Sequence, residues 1–413
     1  MPLRFLTAGE SHGKALVAIV EGLPAGLPVT AEQVNQDLAR RMMGYGRGAR
    51  MKIEKDRIEW LSGVRAGETL GTPVAMIIHN RDWANWEEIM AAEGTPGEAR
   101  RRGLHRPRPG HADLVGVLKY DRADARDILE RASARETAAR VAAGALARRL
   151  LEEFQVDVGS HVVSLGGIRA AVPDSLPRPL NPAADQSEVR VLDPAVEARI
   201  IQRIDQAKKD GDTLGGECEV VVRGLPTGLG SHVHWDRKLD ARLAGALMSI
   251  PAVKAVEIGL GFEAARRPGS AVHDPIVAEA VPGRPAPSPA LRGGYARQGN
   301  NAGGLEGGVT TGEPLVIRVG MKPISTLMSP LPTIDLRTGR PARAQSERSD
   351  VTAVPAMGVI AEALTALELA GAMIEKFGGD SLAEMRRNYD ACLARLAERW
   401  TALRDAVPET EGA

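Results

Sequence analysis

The chain reads as a layered α/β protein built from two related halves, and three observations predict it. Helix-capping signals open a series of Ala- and Leu-rich stretches. Short apolar or alternating runs of strand type lie between them. A turn of the form Gly-Leu-Pro-x-Gly-Leu occurs twice in matching surroundings.

In chain order, an apolar strand-like run leads into Gly22-Leu23-Pro24-Ala25-Gly26-Leu27. Thr30 and Gln33 then form a capping box and open a helix to about Arg41. Lys52–Trp60 alternates and Pro73–Ile78 is short and apolar, so both read as strands. Ser133 and Glu136 form a second capping box, opening a helix to about Phe154. Asp193-Pro194 pairs an N-cap with a first-turn proline, and Gly211 marks that helix's end. Valine-rich Glu217–Val222 is a strand before the second turn, Gly224-Leu225-Pro226-Thr227-Gly228-Leu229. Asp236 starts a helix that Pro251 stops, and Pro314–Val319 is a further strand. Met357–Phe377 is a helix stopped by Gly378-Gly379, and a last helix follows Asp380-Ser381.

A second echo links Gly67–Gly71 with Gly211–Gly215. The expectation is one domain over 1–404, with halves of about 1–155 and 156–377 and a disordered tail at 405–413. Duplication is the favoured account of the echoes, with coincidence between Gly-rich turns as the bland alternative. Three stretches read as long loops: Asn80–Pro109, Ala170–Gln186 and Ala264–Asn301. The last is expected to order over a site when ligand binds.

The chain has 413 residues, with 53 basic and 53 acidic side chains, so no global basic field exists to hold nucleic acid or an anionic membrane. Five Trp, four Tyr and four Phe leave few rings for base stacking. Two cysteines make neither a disulfide framework nor a cysteine zinc cluster, and no metal-ligand spacing is present. The N-terminal segment lacks the apolar run of a signal peptide. Met357–Phe377 carries Glu362, Glu368 and Glu375, which suits a buried or interface helix better than a membrane span. A soluble cytoplasmic protein is expected.

Chemistry-bearing residues fall into clusters. Gly9-Glu10-Ser11-His12-Gly13 puts a titratable imidazole in a turn that glycines shape; a solvated turn histidine is the bland alternative. Arg106–Asp113 holds Arg108 and His111 on a proline-stiffened segment. Arg131 and Arg135 flank Ser133, where a helix N-terminus would favour an anion; taken alone, an ordinary capped helix with solvated arginines is the better account of that cluster. Arg41, Arg47 and Arg50 surround Gly44-Tyr45-Gly46. Gly303-Gly304 and Gly307-Gly308, Lys322–Thr326 and Arg348-Ser349-Asp350 complete the set. Together they describe an arginine-rich pocket for a small, multiply anionic substrate.

The motifs Thr7–Gly13, Gly44–Gly48, Arg108–Asp113, Arg131–Thr137, Ala302–Gly308, Lys322–Thr326 and Arg348–Asp350 occur in one order and span nearly the whole chain. In this the sequence resembles the chorismate synthase family. The resemblance implies a β-α-β sandwich of α+β class with an internal pseudo-two-fold repeat, and a homotetramer. It implies anti-1,4-elimination of phosphate from 5-enolpyruvylshikimate-3-phosphate, the last step of the shikimate pathway. It also implies a requirement for reduced FMN without net redox change, NADPH serving only indirectly as the reductant of FMN. Carried over residue by residue, His12 protonates the leaving phosphate, His111 attends flavin N1, and Asp350 works with flavin N5 in removing the ring proton.

The same resemblance assigns Ser11, Arg41, Arg47, Arg50, Arg108, Ser133 and Arg135 to the substrate. It assigns Arg131, Ala132, Ser133, Pro251, Ala252, Gly307, Lys322, Pro323, Ile324, Ser325, Thr326 and Arg348 to FMN. Ala132 stands where relatives often have Ser, Pro251 where a side-chain amide is common, and Ser349 where some have His. No flavin-reductase domain is visible, so an external supply of reduced FMN is expected. A flavin-free phosphate lyase, an RNA-binding protein and an inactive family member are the rival readings.

Overall fold

The computed structural model describes residues 2–48, 54–93, 102–278, 289–346 and 349–406. Two antiparallel sheets enclose a layer of helices. The first contains β1 (Arg4–Ala8), β2 (Ala15–Glu21), β3 (Ile58–Ser62) and β4 (Val74–His79), in the order β1-β2-β4-β3. The second contains β5 (Asp157–Leu165), β6 (Ile168–Arg169), β7 (Gly216–Arg223), β8 (Val253–Ile258) and β9 (Leu315–Met321), in the order β8-β9-β7-β5-β6.

The longer helices are α1 (Ala31–Met42), α2 (Asp113–Tyr120), α3 (Arg126–Ala132), α4 (Thr137–Glu152), α5 (Pro194–Asp210), α6 (Leu239–Met248), α7 (Val354–Phe377) and α8 (Leu382–Ala406). Helix α4 lies on the first sheet and α7 on the second, and the two helices pack on each other. Both are buried along most of their length, which explains their Ala-rich, weakly amphipathic sequences. Leu146, Leu150 and Leu151 are fully buried and each contributes roughly 2 kcal/mol. Helix–helix approach is closest at Gly144, where an added Cβ would stand 2.4 Å from Ala363 Cβ. Helix α7 is long and apolar enough to cross a membrane, but it lies inside the protein.

Charge is also buried in this layer. Glu362 of α7 is fully buried and accepts from Arg148 Nη2 at 2.6 Å, Arg40 Nη1 at 2.8 Å, Arg190 Nη2 at 3.1 Å and Ser160 Oγ at 2.6 Å. Burial pushes this carboxyl up, but Arg40, Arg148 and Arg190 outweigh it and hold Glu362 well below the usual carboxylate range. Asp37 and Asp185 complete the cluster through Arg148, Arg40 and Arg190.

The two sheets follow one plan: β1-β2-β4-β3 in the first corresponds to β5-β7-β9-β8 in the second. The repeated turns superpose in their bonding as well. Thr69 Oγ1 donates to Pro24 O at 2.6 Å and accepts from Leu27 N at 3.0 Å. Thr310 Oγ1 donates to Pro226 O at 2.7 Å and accepts from Leu229 N at 2.8 Å. The counterpart of the Gly67–Gly71 strip is therefore Gly308–Gly312. The sequence echo at Gly211–Gly215 is different: Thr213 Oγ1 donates to Ile324 O.

Local sequence signals hold where capping chemistry is complete. The Thr30/Gln33 box is present, and Asp193 caps α5, which ends on left-handed Gly211. Ser133 differs from expectation. It accepts from Arg135 N and caps a short 3-10 turn over Ala134–Glu136, so the α-helix proper starts at Thr137. The strand placed at Lys52–Trp60 is Ile58–Ser62, and 51–53 lie outside the described residues. The helix placed at Asp236 begins at Leu239, after a 3-10 turn. Parts of the two long loops, 94–101 and 279–288, and the end of the tail, 407–413, also lie outside the described residues.

Candidate active site

The β1–β2 turn carries the first cluster. Gly9 has φ +105°, and a Cβ there would come 2.3 Å from Ala15 O, so the sharp return of the chain requires glycine. The return buries Ser11, whose N–H donates to Glu130 O at 2.9 Å. The next N–H, of His12, donates to Glu130 Oε2 at 2.8 Å, and His12 Nδ1 lies 3.0 Å from Oε1. Arg126 Nη1 donates to the same Oε1 at 3.0 Å. Burial raises the Glu130 pKa, but His12 and Arg126 hold it below its ordinary value. The Trp86 ring stacks on the imidazole at 4.0 Å and 29°. Arg102 and Arg126 guanidiniums sit 5.1 and 5.0 Å from the Trp86 ring centre.

Asn80 ties this turn to the arginines. Its Nδ2 donates to Gly13 O at 2.7 Å, and its Oδ1 accepts from Arg135 Nε at 3.0 Å. Arg135 Nη1 meets both oxygens of Asp56 at 2.6 Å. Arg41 donates to Thr137 Oγ1 at 3.0 Å and Ala134 O at 2.9 Å. Its buried Nη1 makes no hydrogen bond among the described residues and stands 3.5 Å from Asp56 Oδ2. Burial first, then Arg135 and Arg47, lower the Arg41 pKa to about 10, against the pull of Asp56. Arg47 pairs with Asp350 Oδ2 at 3.2 Å, and Gly48 N donates to Asp350 Oδ1 at 2.6 Å. Arg50 and Arg348 lie outside the described residues.

A second wall follows β9. Arg108 donates from Nε and Nη2 to Asp113 at 2.8 and 3.0 Å, and from Nη1 to Thr326 Oγ1 at 2.8 Å. His111 Nδ1 is 2.6 Å from Asp113 Oδ1. Burial raises the Asp113 pKa, but the His111 and Arg108 bonds hold it far below the usual range. Lys322 Nζ donates to Gly110 O at 3.0 Å, and Lys322 N donates to Ala252 O at 2.9 Å. Burial and nearby Lys254 both lower the Lys322 pKa. Gly110 has φ +79°, and a Cβ there would lie 3.4 Å from Lys322 Nζ and 3.7 Å from Ser325 Cβ.

Hydrogen bonds join several of the predicted residues. Arg131 Nη2 donates to Thr7 O and Oγ1 at 2.8 and 2.7 Å, bracing the His12 turn. Arg140 of α4 donates to Ser249 Oγ at 2.8 Å, just before Pro251 and Ala252. Ala252 then reaches Lys322, and Lys322 reaches the His111 segment. Gly307 stands apart. It lies in the Leu305–Thr310 hairpin before β9, whereas Lys322 follows that strand, about 20 Å along at strand rise. Asp56, Asn80, Trp86, Asp113 and Glu130 contact the predicted residues but carried no sequence assignment. Only Asp113 sits in a recognisable motif.

Two clefts lie elsewhere. One of about 760 Å³ is lined by Asp236, Arg242, Glu368 and Lys376, and one of about 650 Å³ by Phe154, Arg223, Arg386 and Tyr389. Neither contains a predicted site residue.

Buried guanidiniums and two imidazoles, each backed by a carboxylate, define an enzyme that handles a small anionic substrate. The comparisons with known proteins make this specific. The chorismate synthase family model matches residues 3–374. A chorismate synthase of Geobacter metallireducens is 57% identical over 95% of this chain and 99% of its own length. One of Enterococcus faecalis is 53% identical over 93% and 97%. A crystal structure of chorismate synthase superposes with a TM-score of 0.76 at 42% identity, covering 96% of this chain and 99% of that one. The chain belongs to the chorismate synthase family, whose members are carbon–oxygen lyases acting on phosphates.

Proposed function

We propose that this chain eliminates phosphate from 5-enolpyruvylshikimate-3-phosphate in the 1,4-anti sense to give chorismate, using reduced FMN. The observation that carries the reading is the buried Arg41 guanidinium, whose Nη1 makes no hydrogen bond among the described residues and whose pKa is lowered by burial and by Arg135 and Arg47 in spite of Asp56. Such a group favours a substrate bearing a phosphate and two carboxylates. Ser11, Arg41, Arg47, Arg50, Arg108, Ser133 and Arg135 form its surroundings in this reading. Fixed cations stabilise charge gathering on the departing phosphate without reorganising.

His12 gives its proton to that phosphate. Asp350, oriented by Arg47 and Gly48 N, is the carboxylate that takes part in removing the ring proton. His111, oriented by Asp113 through Nδ1, would attend flavin N1 at the second wall.

The second wall fits FMN. Gly110 leaves a side-chain-free cradle, and Lys322, Ser325 and Thr326 supply a cation and hydroxyls suited to a phosphate or ring carbonyl. Arg131, Ala132, Ser133, Pro251, Ala252, Lys322–Thr326 and Arg348 would hold it. Reduced FMN, when bound, supplies the electron-rich ring that promotes C–O cleavage with no net redox change.

We further read the chain as one domain of two related halves, about 1–155 and 156–377, working as a cytoplasmic homotetramer. Gly307 supports the assembly, since its hairpin is far from Lys322 within one chain and a neighbouring copy could bring it to a flavin. Reduced FMN comes from an external reductase, with NADPH only its indirect source. The test is an anaerobic assay of chorismate formation with reduced FMN, oxidised FMN or no flavin. Turnover only with reduced FMN is expected. Turnover without flavin would turn the reading toward a flavin-free lyase.

A further inference from the structure

We propose that Glu130 is the positioning residue for His12, keeping the proton on Nδ1 so that Nε2 is the nitrogen that exchanges a proton with the substrate. The proposal rests on the reading of His12 as the proton donor. Glu130 holds the histidine twice, by its backbone N–H at 2.8 Å and its ring Nδ1 at 3.0 Å. Its own backbone carbonyl takes the N–H of Ser11. Both rotation about the turn and rotation of the ring are therefore set by one residue of α3.

A brace for the turn alone needs no charge. The Glu130 side chain is 2% exposed, and burying a carboxylate is costly unless the charge is used. Here it faces an imidazole. A carboxylate at Nδ1 selects one tautomer and stabilises the imidazolium. The two bonds from His12 first, and then Arg126, which shares Oε1, hold the Glu130 carboxyl below its ordinary pKa, so the carboxylate does not take the proton itself. Among the described residues, Trp86 stacks on the ring, with Arg102 and Arg126 over Trp86. In the donating step the Nε2–H bond breaks, an O–H bond forms on the departing phosphate, and a neutral imidazole remains with Nδ1–H on Glu130.

The test is ¹⁵N NMR of the histidine-labelled full-length protein, with the His12 signals assigned by their loss in His12→Asn. In the wild type at a pH where the ring is neutral, Nδ1 is expected to carry the proton. A wild-type ring protonated on Nε2 would overturn the proposal without recourse to any Glu130 variant. Glu130→Gln is expected to shift the tautomer toward Nε2–H and to lower kcat about 10²-fold with little change in KM, and Glu130→Asp to recover part of the loss. If His12→Asn loses activity while Glu130→Gln keeps wild-type kcat and tautomer, the proposal fails alone. Full turnover by His12→Asn would overturn the His12 reading and this proposal with it.

Discussion

Thr69 and Thr310 make the same four hydrogen bonds to two copies of one turn. Each hydroxyl bridges a proline carbonyl and a leucine N–H, and each backbone N–H and C=O pairs with that leucine and the glycine before it. Both side chains are buried. Thr69→Val and Thr310→Val should each cost about 1–3 kcal/mol, because each leaves a buried donor and acceptor unmet. Denaturant unfolding of the two variants should give closely similar losses. Clearly unequal losses would show that the matching geometry is not matching energetics.

Glu362→Gln should be more damaging. It leaves Arg40, Arg148 and Arg190 with less compensating charge in the buried layer, at a cost of about 3–5 kcal/mol. The folded-state pKa of Glu362 is depressed, so its stabilisation is fully present above the unfolded carboxylate value of about 4.3 and fades as the pH falls below it. The gap in unfolding free energy between wild type and variant should therefore narrow from pH 7 to pH 3. A gap independent of pH would contradict the assignment.

Asp113→Asn should weaken flavin binding. Asp113 holds both Arg108, which reaches Thr326, and His111. Without its charge the wall around Gly110 and Lys322 loses its register. We expect the Kd for reduced FMN, followed anaerobically by flavin fluorescence, to rise about tenfold. An unchanged Kd would separate Asp113 from the flavin.

Gly144→Ala sets two effects against each other. Alanine improves helix propensity by about 1 kcal/mol. The new methyl, however, would meet Ala363 Cα and O at 2.6 Å, and backbone atoms do not yield easily. Overpacking at about 1–3 kcal/mol should prevail, so the variant unfolds at lower denaturant concentration. A stabilised variant would mean that α4 and α7 can part without cost.

Local chemistry made part of this architecture readable in advance. The Thr30/Gln33 box and the Asp193-Pro194 start each hold their whole signal within a few residues, and both helices begin where expected. Strand β5 gave no such signal. It is buried along almost its whole length, so no alternation shows, and Gly159, Ser160 and His161 interrupt its apolar run. Helix α3 is one short stretch without a side-chain cap. Motifs displayed His12, His111 and Arg135, but not Glu130, Asp113 and Asp56 as their partners. Glu130 lies far along the chain from His12, and no spacing rule joins two residues that meet only after a sheet and a helix have packed.

The connection between the first two strands differs sharply between the sheets. Residues 9–14 join β1 to β2 and carry Ser11 and His12. Residues 166–215 join β5 to β7, and they carry α5 and bring Arg190 to Glu362. One topological address thus holds the proposed proton donor in the first sheet and a structural anchor in the second. Transplanting the short turn into the second sheet would not create another reactive centre, because it would remove Arg190 and leave the helix layer unclamped. The two connections divide their labour: one carries the proposed proton donor, the other feeds the buried ion cluster.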